Sequence, residues 1–303
     1  GLLLIVLTDL TNRNDLFFSE EFERDLQHRQ LYGELIAHRF KSWLARQSIK
    51  QATVNVTPTA AFAERIRYNS KLSQVKIETL GFGFDAEGFA ANQEPLPDLL
   101  IGKLNPREGC RRVLYVSHYN YFRNFETLIR ALPDIKSRLK QQTGEDVQLG
   151  LTTDIRRGAF YGGYDATAAA ELIERLGVRD DIAMLGAVDY GNLHRLYKLC
   201  DVFVCPSYSE SFGHPLVEAM ASGVPVVSAN LPVHREVCSD AAIYFDVFDE
   251  KNLAEQCVRV LADKNLSNQL SARGLQRSRE FSWREHVRQL TALITRVAEQ
   301  HNQ

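Results

Sequence analysis

The sequence has no excess of charge of either sign, no long apolar run and no pattern of paired cysteines. Lys and Arg number 36 against 38 Asp and Glu, so the charge balance indicates no nucleic-acid binding. The five cysteines, an odd number, suit reduced thiols in a packed core better than a disulfide framework, which favours a cytoplasmic protein. The opening run GLLLIVL is too short to span a bilayer and has no basic n-region, so it predicts a buried strand.

Several motifs that hold metals or phosphates are also missing. The sequence contains no Asp-x-Asp pair for a metal-bridged diphosphate and no His, Cys and Asp cluster at zinc spacing. It contains neither a Gly-x-Gly-x-x-Gly loop nor a Walker loop. We therefore expect no bound metal and no cofactor.

What the sequence does contain is an alternation of short β-rich runs with helical patterns. This alternation is typical of a parallel sheet built from βαβ units, and the length of 303 residues favours two domains. Six strands are expected in residues 111–280: RRVLYVS, VQLGLTT, IAMLGAV, DVFVCPS, VPVVSAN and AIYFD. The predicted fold class is α/β with two Rossmann-like domains and a cleft between them.

The first hundred residues repeat the alternation on a smaller scale. We expect strands LLLIVL, TVNVT and VKIETL, with one long helix over about residues 19–47 and a second helix at AAFAERIRYN. Residues 1–86 form the predicted N-terminal domain. Residues 87–110 are rich in Pro, Gly and Asn without a sustained period, so we expect a linker there. The chain begins with Gly rather than Met, and we expect it to be a piece of a longer protein.

Two glutamates follow the predicted strand DVFVCPS. Glu210 lies in the loop YSESFGHP, and Glu218 comes eight residues later on a helix expected to start near Pro215 and stop at Gly223. Apart from Glu218 and Ser222 that helix is apolar. A buried carboxylate without partners costs several kcal/mol, so Glu218 needs hydrogen-bond donors.

A ligand with adjacent hydroxyl groups fits this requirement. A sugar diol can donate twice to one carboxylate, as the ribose does in dinucleotide-binding folds. Ligands of open α/β sheets lie beyond the carboxyl ends of the strands, where Glu210 is expected to face the same crevice. Gly213 allows a ligand to approach the backbone, and the free amides at the helix start favour an anion such as a diphosphate.

The segments ESFGHPLVE and EAMASGVPVVSAN resemble the Glu-x7-Glu motif of retaining glycosyltransferases of family 4, which have the GT-B fold. The resemblance implies that Glu218 binds the nucleotide ribose and that Glu210 contacts the transferred sugar. It also implies donor contacts at the neighbouring positions of the motif, which are Phe212, Gly213, His214, Leu216 and Val217. The resemblance implies front-face transfer, in which the diphosphate leaves and its oxygen takes the proton of the incoming acceptor hydroxyl. No protein nucleophile is required in such a mechanism.

A second loop, SHYNYFRNFETL, carries His118 and Arg123 before a predicted helix. A basic pair beside a helix N-terminus suits a leaving diphosphate. The family shows Gly-Arg and then Lys-Gly at positions held here by Ser117, His118, Arg123 and Asn124, so His118 replaces a permanent charge by one that depends on protonation. The family also implies a backbone contact to the base near Val188 and a C-terminal helix, residues 281–303, that packs back towards the first domain.

The acceptor side is harder to predict. The glycine-rich loop of the family is not visible, and Thr8 stands where the family has a histidine, so we expect the N-terminal domain to be incomplete. The chain should then bind the donor through its C-terminal domain but transfer sugar poorly or not at all. Basic residues at 38–50 fit either a solvated helix face or weak association with an anionic membrane.

The sequence therefore predicts a metal-independent retaining hexosyltransferase that moves a sugar from a nucleoside-diphosphate sugar to an acceptor hydroxyl. The acceptor is a sugar, glycan or glycolipid, as in the synthesis of polysaccharides or glycolipids. Two alternatives are a nucleotide-sugar epimerase of the same fold, which product analysis would separate, and a non-catalytic nucleotide-sugar-binding module, which would bind without turnover.

Overall fold

The computed structural model of the chain describes residues 5–7, 14–70, 75–104 and 108–301. The strands in these ranges form two parallel sheets and one antiparallel hairpin. The small sheet contains β1 (Ile5–Leu7), β2 (Val54–Thr57) and β3 (Ile77–Thr79). The strands of the large sheet and of the hairpin are β4 (Cys110–Tyr115), β5 (Asp146–Leu151), β6 (Phe160–Tyr161), β7 (Tyr164–Asp165), β8 (Ile182–Met184), β9 (Val202–Cys205), β10 (Val226–Ala229) and β11 (Ala242–Phe245).

Helices connect the strands and close the chain. Those of the first part are α1 (Glu20–His28), α2 (Tyr32–Gln51), α3 (Ala60–Ser70), α4 (Ala86–Ala90) and α5 (Asp98–Leu104). Those that follow are α6 (Phe125–Thr143), α7 (Thr167–Leu176), α8 (Tyr190–Lys198), α9 (His214–Ala221), α10 (Pro232–Cys238), α11 (Glu250–Ala262), α12 (Lys264–Ser278) and α13 (Trp283–His301). Short 3₁₀ turns occur at Asn14–Phe18, Tyr121–Arg123, Arg179–Asp181 and Ser239–Ala241.

The large sheet has the strand order β11-β10-β9-β4-β5-β8. Its central strands are apolar on both faces because helices cover both, and Val113, for example, is aligned with Val202 on β9 and Leu149 on β5. The chain runs from β4 outwards to β8 and then returns to β9 on the other side of β4. The order therefore reverses between β4 and β9, the place where open α/β sheets bind their ligands.

This reversal also separates the helices into two layers. Parallel strands are joined by right-handed crossovers, so the outward helices α6 and α7 lie on one face of the sheet. The return helices α8, α9 and α10 lie on the other face. Helix α11 packs on α6, and α12 packs on α9. The loops that precede α6 and α9 meet at the carboxyl edge of the sheet.

The small sheet is covered by the last helix of the chain. Leu293 and Val297 of α13 pack with Val54, Val56 and Leu80 around β2. Arg296 forms an ion pair with Glu78 at the end of the same contact. Helix α13 thus joins the C-terminal segment to the first part of the chain.

Some local predictions differ from the observed elements. The single helix expected over about residues 19–47 is two helices, because Gln30 adopts a left-handed conformation with φ of 59° that ends α1. The segment 87–110 contains α5, whose Leu100 and Leu104 are buried, and α4 extends into its start. The hairpin of β6 and β7 was not predicted. Thr8 lies outside the described residues.

The structure also bears on the expectations about disulfide bonds and about contact with a membrane. No disulfide bond joins any of the five cysteines, all of which lie in the described ranges. None of the helices in the described ranges combines the length and the apolarity required to cross a bilayer. Helix α2 exposes Ile36, Phe40 and Trp43 along one face, whereas His38, expected on a basic face, is buried.

Candidate functional site

Helix α9 places Glu218 beside the carboxyl edge of the large sheet. Gly213 precedes the helix with φ of 91°, a left-handed conformation that favours glycine, and Pro215 fits the first turn, where no amide donor is needed. Glu218 is 7% exposed, and its Oε2 accepts a hydrogen bond from the hydroxyl of Tyr197 on α8 at 3.1 Å. In the described part of the chain this is the one hydrogen bond recorded to the carboxylate. The sequence argument missed Tyr197, for which no motif gives a signal.

Burial changes the protonation of Glu218. Loss of solvent raises the pKa of this carboxyl to about 7, and the hydrogen bond from Tyr197 only partly opposes the shift. Burial, together with the Glu218 carboxylate, raises the pKa of Tyr197 well above its usual value, so Tyr197 remains a donor. The charged carboxylate is therefore short of donors, which ligand hydroxyl groups could supply.

We expect Glu218→Gln to stabilise the unliganded protein at alkaline pH. A folded-state pKa raised to about 7 means that the native state loses stability as pH rises from about 4.5 to about 7, and this loss persists above pH 7. The full loss is about 3 kcal/mol, at 1.36 kcal/mol per pKa unit. Urea unfolding of both proteins at pH 4.5 and pH 8 measures it. A variant no more stable than the parent at pH 8 would show that Glu218 ionises without cost.

Arg123, which is partly exposed, and the buried Glu210 form an ion pair across the switch between β4 and β9. Arg123 Nη1 contacts Glu210 Oε1, and Glu210 is 7% exposed. The two loops are tied together because the Tyr115 hydroxyl donates to the carbonyl of Arg123 at 2.9 Å and contacts Ser207 Oγ at 3.2 Å. Arg123 Nε is buried and has no hydrogen-bond partner among the described residues. The structure thus brings two predicted residues together, and the Nε of Arg123 is a hydrogen-bond donor without a partner in the described ranges.

The first part of the chain reaches the same place. Ser209 Oγ donates to Asp15 Oδ2 at 2.6 Å, and Arg65 donates to the same Ser209 oxygen at 3.3 Å. Burial raises the pKa of Asp15, although Ser209, Arg65 and Arg123 oppose the shift. The sequence argument missed Asp15 and Arg65. Each follows a strand of the small sheet, so the carboxyl-edge rule used for the large sheet would have found them.

Aromatic side chains pack around the start of α9. The ring of His214 stacks on Phe82 at 5.3 Å, and Phe212 meets Phe82 edge-on at 5.3 Å. Burial lowers the pKa of His214, so the neutral ring is favoured. Leu216 and Val217 are completely buried, so their side chains are core residues and only the backbone of this turn can approach a ligand.

The remaining predicted residues lie along the loops at the same edge. His118 is exposed and Ser117 partly exposed. Asn124 is buried with φ of 55°; its Nδ2 donates to the carbonyl of Pro206, and its Oδ1 accepts from Thr127. Both polar atoms of Asn124 are thus engaged in holding the loops. Val188 is partly buried against the core.

The described ranges contain no group of three or more His, Cys, Asp or Glu side chains able to hold a metal ion. No hydrogen bond or ion pair within these ranges joins Glu218 to Glu210 or Arg123. The site therefore contains two clusters, one of the predicted residues Arg123 and Glu210, and one of the predicted Glu218 with Tyr197.

Comparison with known proteins identifies the family. A sequence model described as "Glycosyl transferases group 1" matches residues 98–277, which contain both clusters. The chain belongs to this family. As a group 1 glycosyltransferase chain, it is 37% identical over 124 residues to O-antigen chain mannosyltransferase B of Escherichia coli, a match over 41% of this chain and 32% of that protein.

Comparison with solved structures identifies the fold. Sucrose-phosphate synthase from Thermosynechococcus elongatus matches with a TM-score of 0.70 at 22% identity, over 86% of this chain and 62% of that one. HepE from Anabaena, in complex with UDP and glucose, matches with a TM-score of 0.65 at 19% identity, over 83% and 66%. The predicted α/β fold of GT-B type is thus confirmed. The chain spans about a third or less of the length of the curated relatives it matches.

Proposed function

We propose that this chain carries the donor site of a retaining, metal-independent glycosyltransferase of family 4, with the Glu-x7-Glu motif at Glu210 and Glu218. It transfers a hexose from a nucleoside-diphosphate sugar to a hydroxyl group of a sugar, glycan or glycolipid. The observation that carries the proposal is the buried carboxylate of Glu218, which holds a single recorded hydrogen bond in the described part of the chain. A ribose diol supplies the donors that this carboxylate lacks.

The diphosphate is assigned to the loops at the switch between β4 and β9. Arg123 supplies a charge and an Nε that has no partner among the described residues, and the backbone near Gly213 leaves room for a close approach. Ser117 and His118 border this position, and the base is assigned to the backbone near Val188. Glu210 is assigned to the transferred sugar, because it lies on the loop beside Arg123 rather than on α9.

The proposed reaction needs no protein nucleophile. The bond from the anomeric carbon to the diphosphate oxygen breaks, and the acceptor oxygen bonds to the same face of that carbon. The proton of the acceptor hydroxyl passes to the departing diphosphate oxygen. Arg123 stabilises the charge that grows on the diphosphate, a task that requires no metal.

We also propose that residues 1–86 form the acceptor-side domain, that 87–110 link it to the donor-side domain at 111–280, and that 281–303 return to the first domain. The contacts of Asp15 and Arg65 with Ser209 support an acceptor side built against the donor loops. The packing of α13 on β2 supports the return of the C-terminal helix.

A glycolipid acceptor would place the protein at the cytoplasmic surface of a membrane. We propose that α2 makes a weak contact there, since Ile36, Phe40 and Trp43 are exposed near Lys41 and Lys50. Flotation with anionic and neutral vesicles tests this contact. Phe40→Ser/Trp43→Ser should lose any binding to anionic vesicles, and equal flotation of parent and variant would contradict it.

The donor site is tested by a thermal-shift panel of UDP, GDP and ADP. A nucleoside diphosphate at a hundred times its dissociation constant stabilises the folded state by about 2.7 kcal/mol, so one of the three should raise the melting temperature by several degrees. Addition of a chelator should leave this shift unchanged. No shift with any of the three at millimolar concentration would contradict the proposed donor site, and a shift abolished by the chelator would contradict metal independence.

A further inference from the structure

A cavity of about 550 Å³ lies between α1, the first turns of α6 and the length of α7. This volume falls within the range of small-molecule sites. Helices α6 and α7 cover the face of the large sheet opposite α9, since the chain reverses direction after β8. The cavity is therefore on the other side of the sheet from Glu218, although Asn124 of the diphosphate loop and Tyr208 of the Glu210 loop also line it. Its walls come from both parts of the chain, because α1 precedes the small-sheet strand β2.

Charged side chains form the floor of the cavity. Arg29 donates to Asp25 at 2.9 Å and to Glu126 at 3.1 Å, and its guanidinium lies 4.0 Å from the centre of the Tyr121 ring. The Tyr119 hydroxyl donates to Glu126 Oε1 at 2.8 Å. Both contacts of Glu126 use Oε1, and Oε2 is buried with no hydrogen-bond partner in the described ranges. A buried carboxylate oxygen in this state needs a donor, such as a ligand hydroxyl.

Basic side chains lie at the rim of the cavity. Arg130 on α6, Arg175 on α7 and His28 on α1 line the cavity, and no ion pair is recorded for any of the three within the described ranges. Arg24, another lining residue, is paired with Glu20. Two unpaired guanidinium groups on neighbouring helices suit a carboxylate or a phosphate, which arginine binds through paired hydrogen bonds.

Phe248 supplies a strained aromatic wall. Its φ of 69° is left-handed, a conformation that bulky residues rarely adopt, and the side chain is 48% exposed. Its ring packs at 5.1 Å on Tyr208, whose hydroxyl donates to Asp25 at 2.7 Å. An exposed aromatic ring held in strain beside a polar cavity suits the apolar face of a sugar ring.

From these features we infer that the cavity is a second binding site, separate from the donor site, for a sugar that carries a carboxylate or a phosphate group. The anion contacts Arg130 and Arg175, a sugar hydroxyl donates to Glu126 Oε2, and Phe248 covers one face of the ring. A ligand there contacts both α1 and α6, so its binding joins the two parts of the chain.

Calorimetric titration of the whole chain tests the inference with four probes. Glucuronate and glucose 6-phosphate carry both a sugar and an anion, whereas glucose and inorganic phosphate carry one each. Glucuronate or glucose 6-phosphate should bind about tenfold or more tightly than glucose or inorganic phosphate alone. Whichever of the two anionic sugars binds more tightly shows whether the site takes a carboxylate or a phosphate. Binding of inorganic phosphate as tight as that of both anionic sugars would overturn the sugar site, as would no binding of any probe at millimolar concentration.

Variants locate the site. Arg130→Ser/Arg175→Ser should weaken binding of the anionic sugar by about tenfold or more, while Arg138→Ser/Lys140→Ser removes two charges from the same helix outside the cavity and should not. Phe248→Gly should weaken binding and yet raise the melting temperature, because glycine relieves the strain at φ of 69°. Arg123→Met should leave this affinity unchanged. Loss of binding in Arg123→Met, or full binding in Arg130→Ser/Arg175→Ser, would overturn the inference, and either result is independent of whether the chain transfers sugar.

Discussion

Arg123→Met is expected to lower turnover of the sugar donor by about a hundredfold or more, which corresponds to about 2.7 kcal/mol of lost transition-state stabilisation. In the unliganded protein the charge of Arg123 is balanced by Glu210, and Nε has no partner in the described ranges. The need for a cation is greatest when the glycosyl bond breaks and charge grows on the diphosphate. Methionine keeps an unbranched, flexible side chain but removes the guanidinium group and its charge. Release of nucleoside diphosphate from UDP-, GDP- and ADP-hexoses measures the effect.

Because Arg123→Met also leaves Glu210 without its partner, the fold must be checked separately. Arg123→Lys retains a charge and should recover part of the turnover, while thermal unfolding shows whether each variant is folded at the assay temperature. Arg138→Met removes an arginine that pairs with Asp134 on α6, and it should have no effect on turnover. Full turnover in folded Arg123→Met would show that Arg123 is a structural partner of Glu210 and nothing more.

Glu210→Ala is expected to suppress sugar transfer by about ten- to a hundredfold, the value of a lost charged hydrogen bond to the transferred sugar. Affinity for the nucleoside diphosphate should be unchanged or a few-fold tighter. The reason is the ion pair, since removal of Glu210 frees Arg123 to contact the diphosphate. Calorimetry with the nucleoside diphosphate and the release assay with the sugar donor give the two quantities.

The matched control for this variant is Glu255→Ala, which removes an exposed carboxylate on α11. It should change neither quantity. A parallel fall of nucleotide affinity and transfer in Glu210→Ala would contradict the division of roles, because Glu210 would then be a nucleotide contact like Glu218.

The positions of the strands along the chain were more predictable than the contacts between the parts of the chain. Hydrophobic periodicity marks all six strands of the large sheet, because the residues of a strand buried on both faces form a continuous apolar run. Gln30 shows the limit of local signals. It ends α1 in a left-handed conformation without being Gly or Asn, while the adjacent Arg29 pairs with Glu126, ninety-seven positions away. A contact at that distance along the chain leaves no local pattern.

Part of the candidate site could also be predicted from the sequence. Glu210 and Arg123 both follow strands, and the reversal between β4 and β9 brings their loops together. The partner of Glu218 was not predictable, because Tyr197 is one of several aromatic residues and only packing of α8 against α9 selects it. Asp15 follows a strand of the small sheet and could have been proposed from the carboxyl-edge rule, but its contact with Ser209 spans the two parts of the chain and leaves no local pattern.

The assignment of Glu218 to the ribose is tested most directly by two nucleotides and two proteins. The tightest binder among UDP, GDP and ADP is compared with its 2′-deoxy counterpart by calorimetry, in the parent protein and in Glu218→Gln. We predict that the parent prefers the ribonucleotide by about tenfold or more, the value of a hydrogen bond to a charged group, and that Glu218→Gln loses most of this preference. An equal preference in the two proteins, or none in the parent, would contradict the proposed donor site.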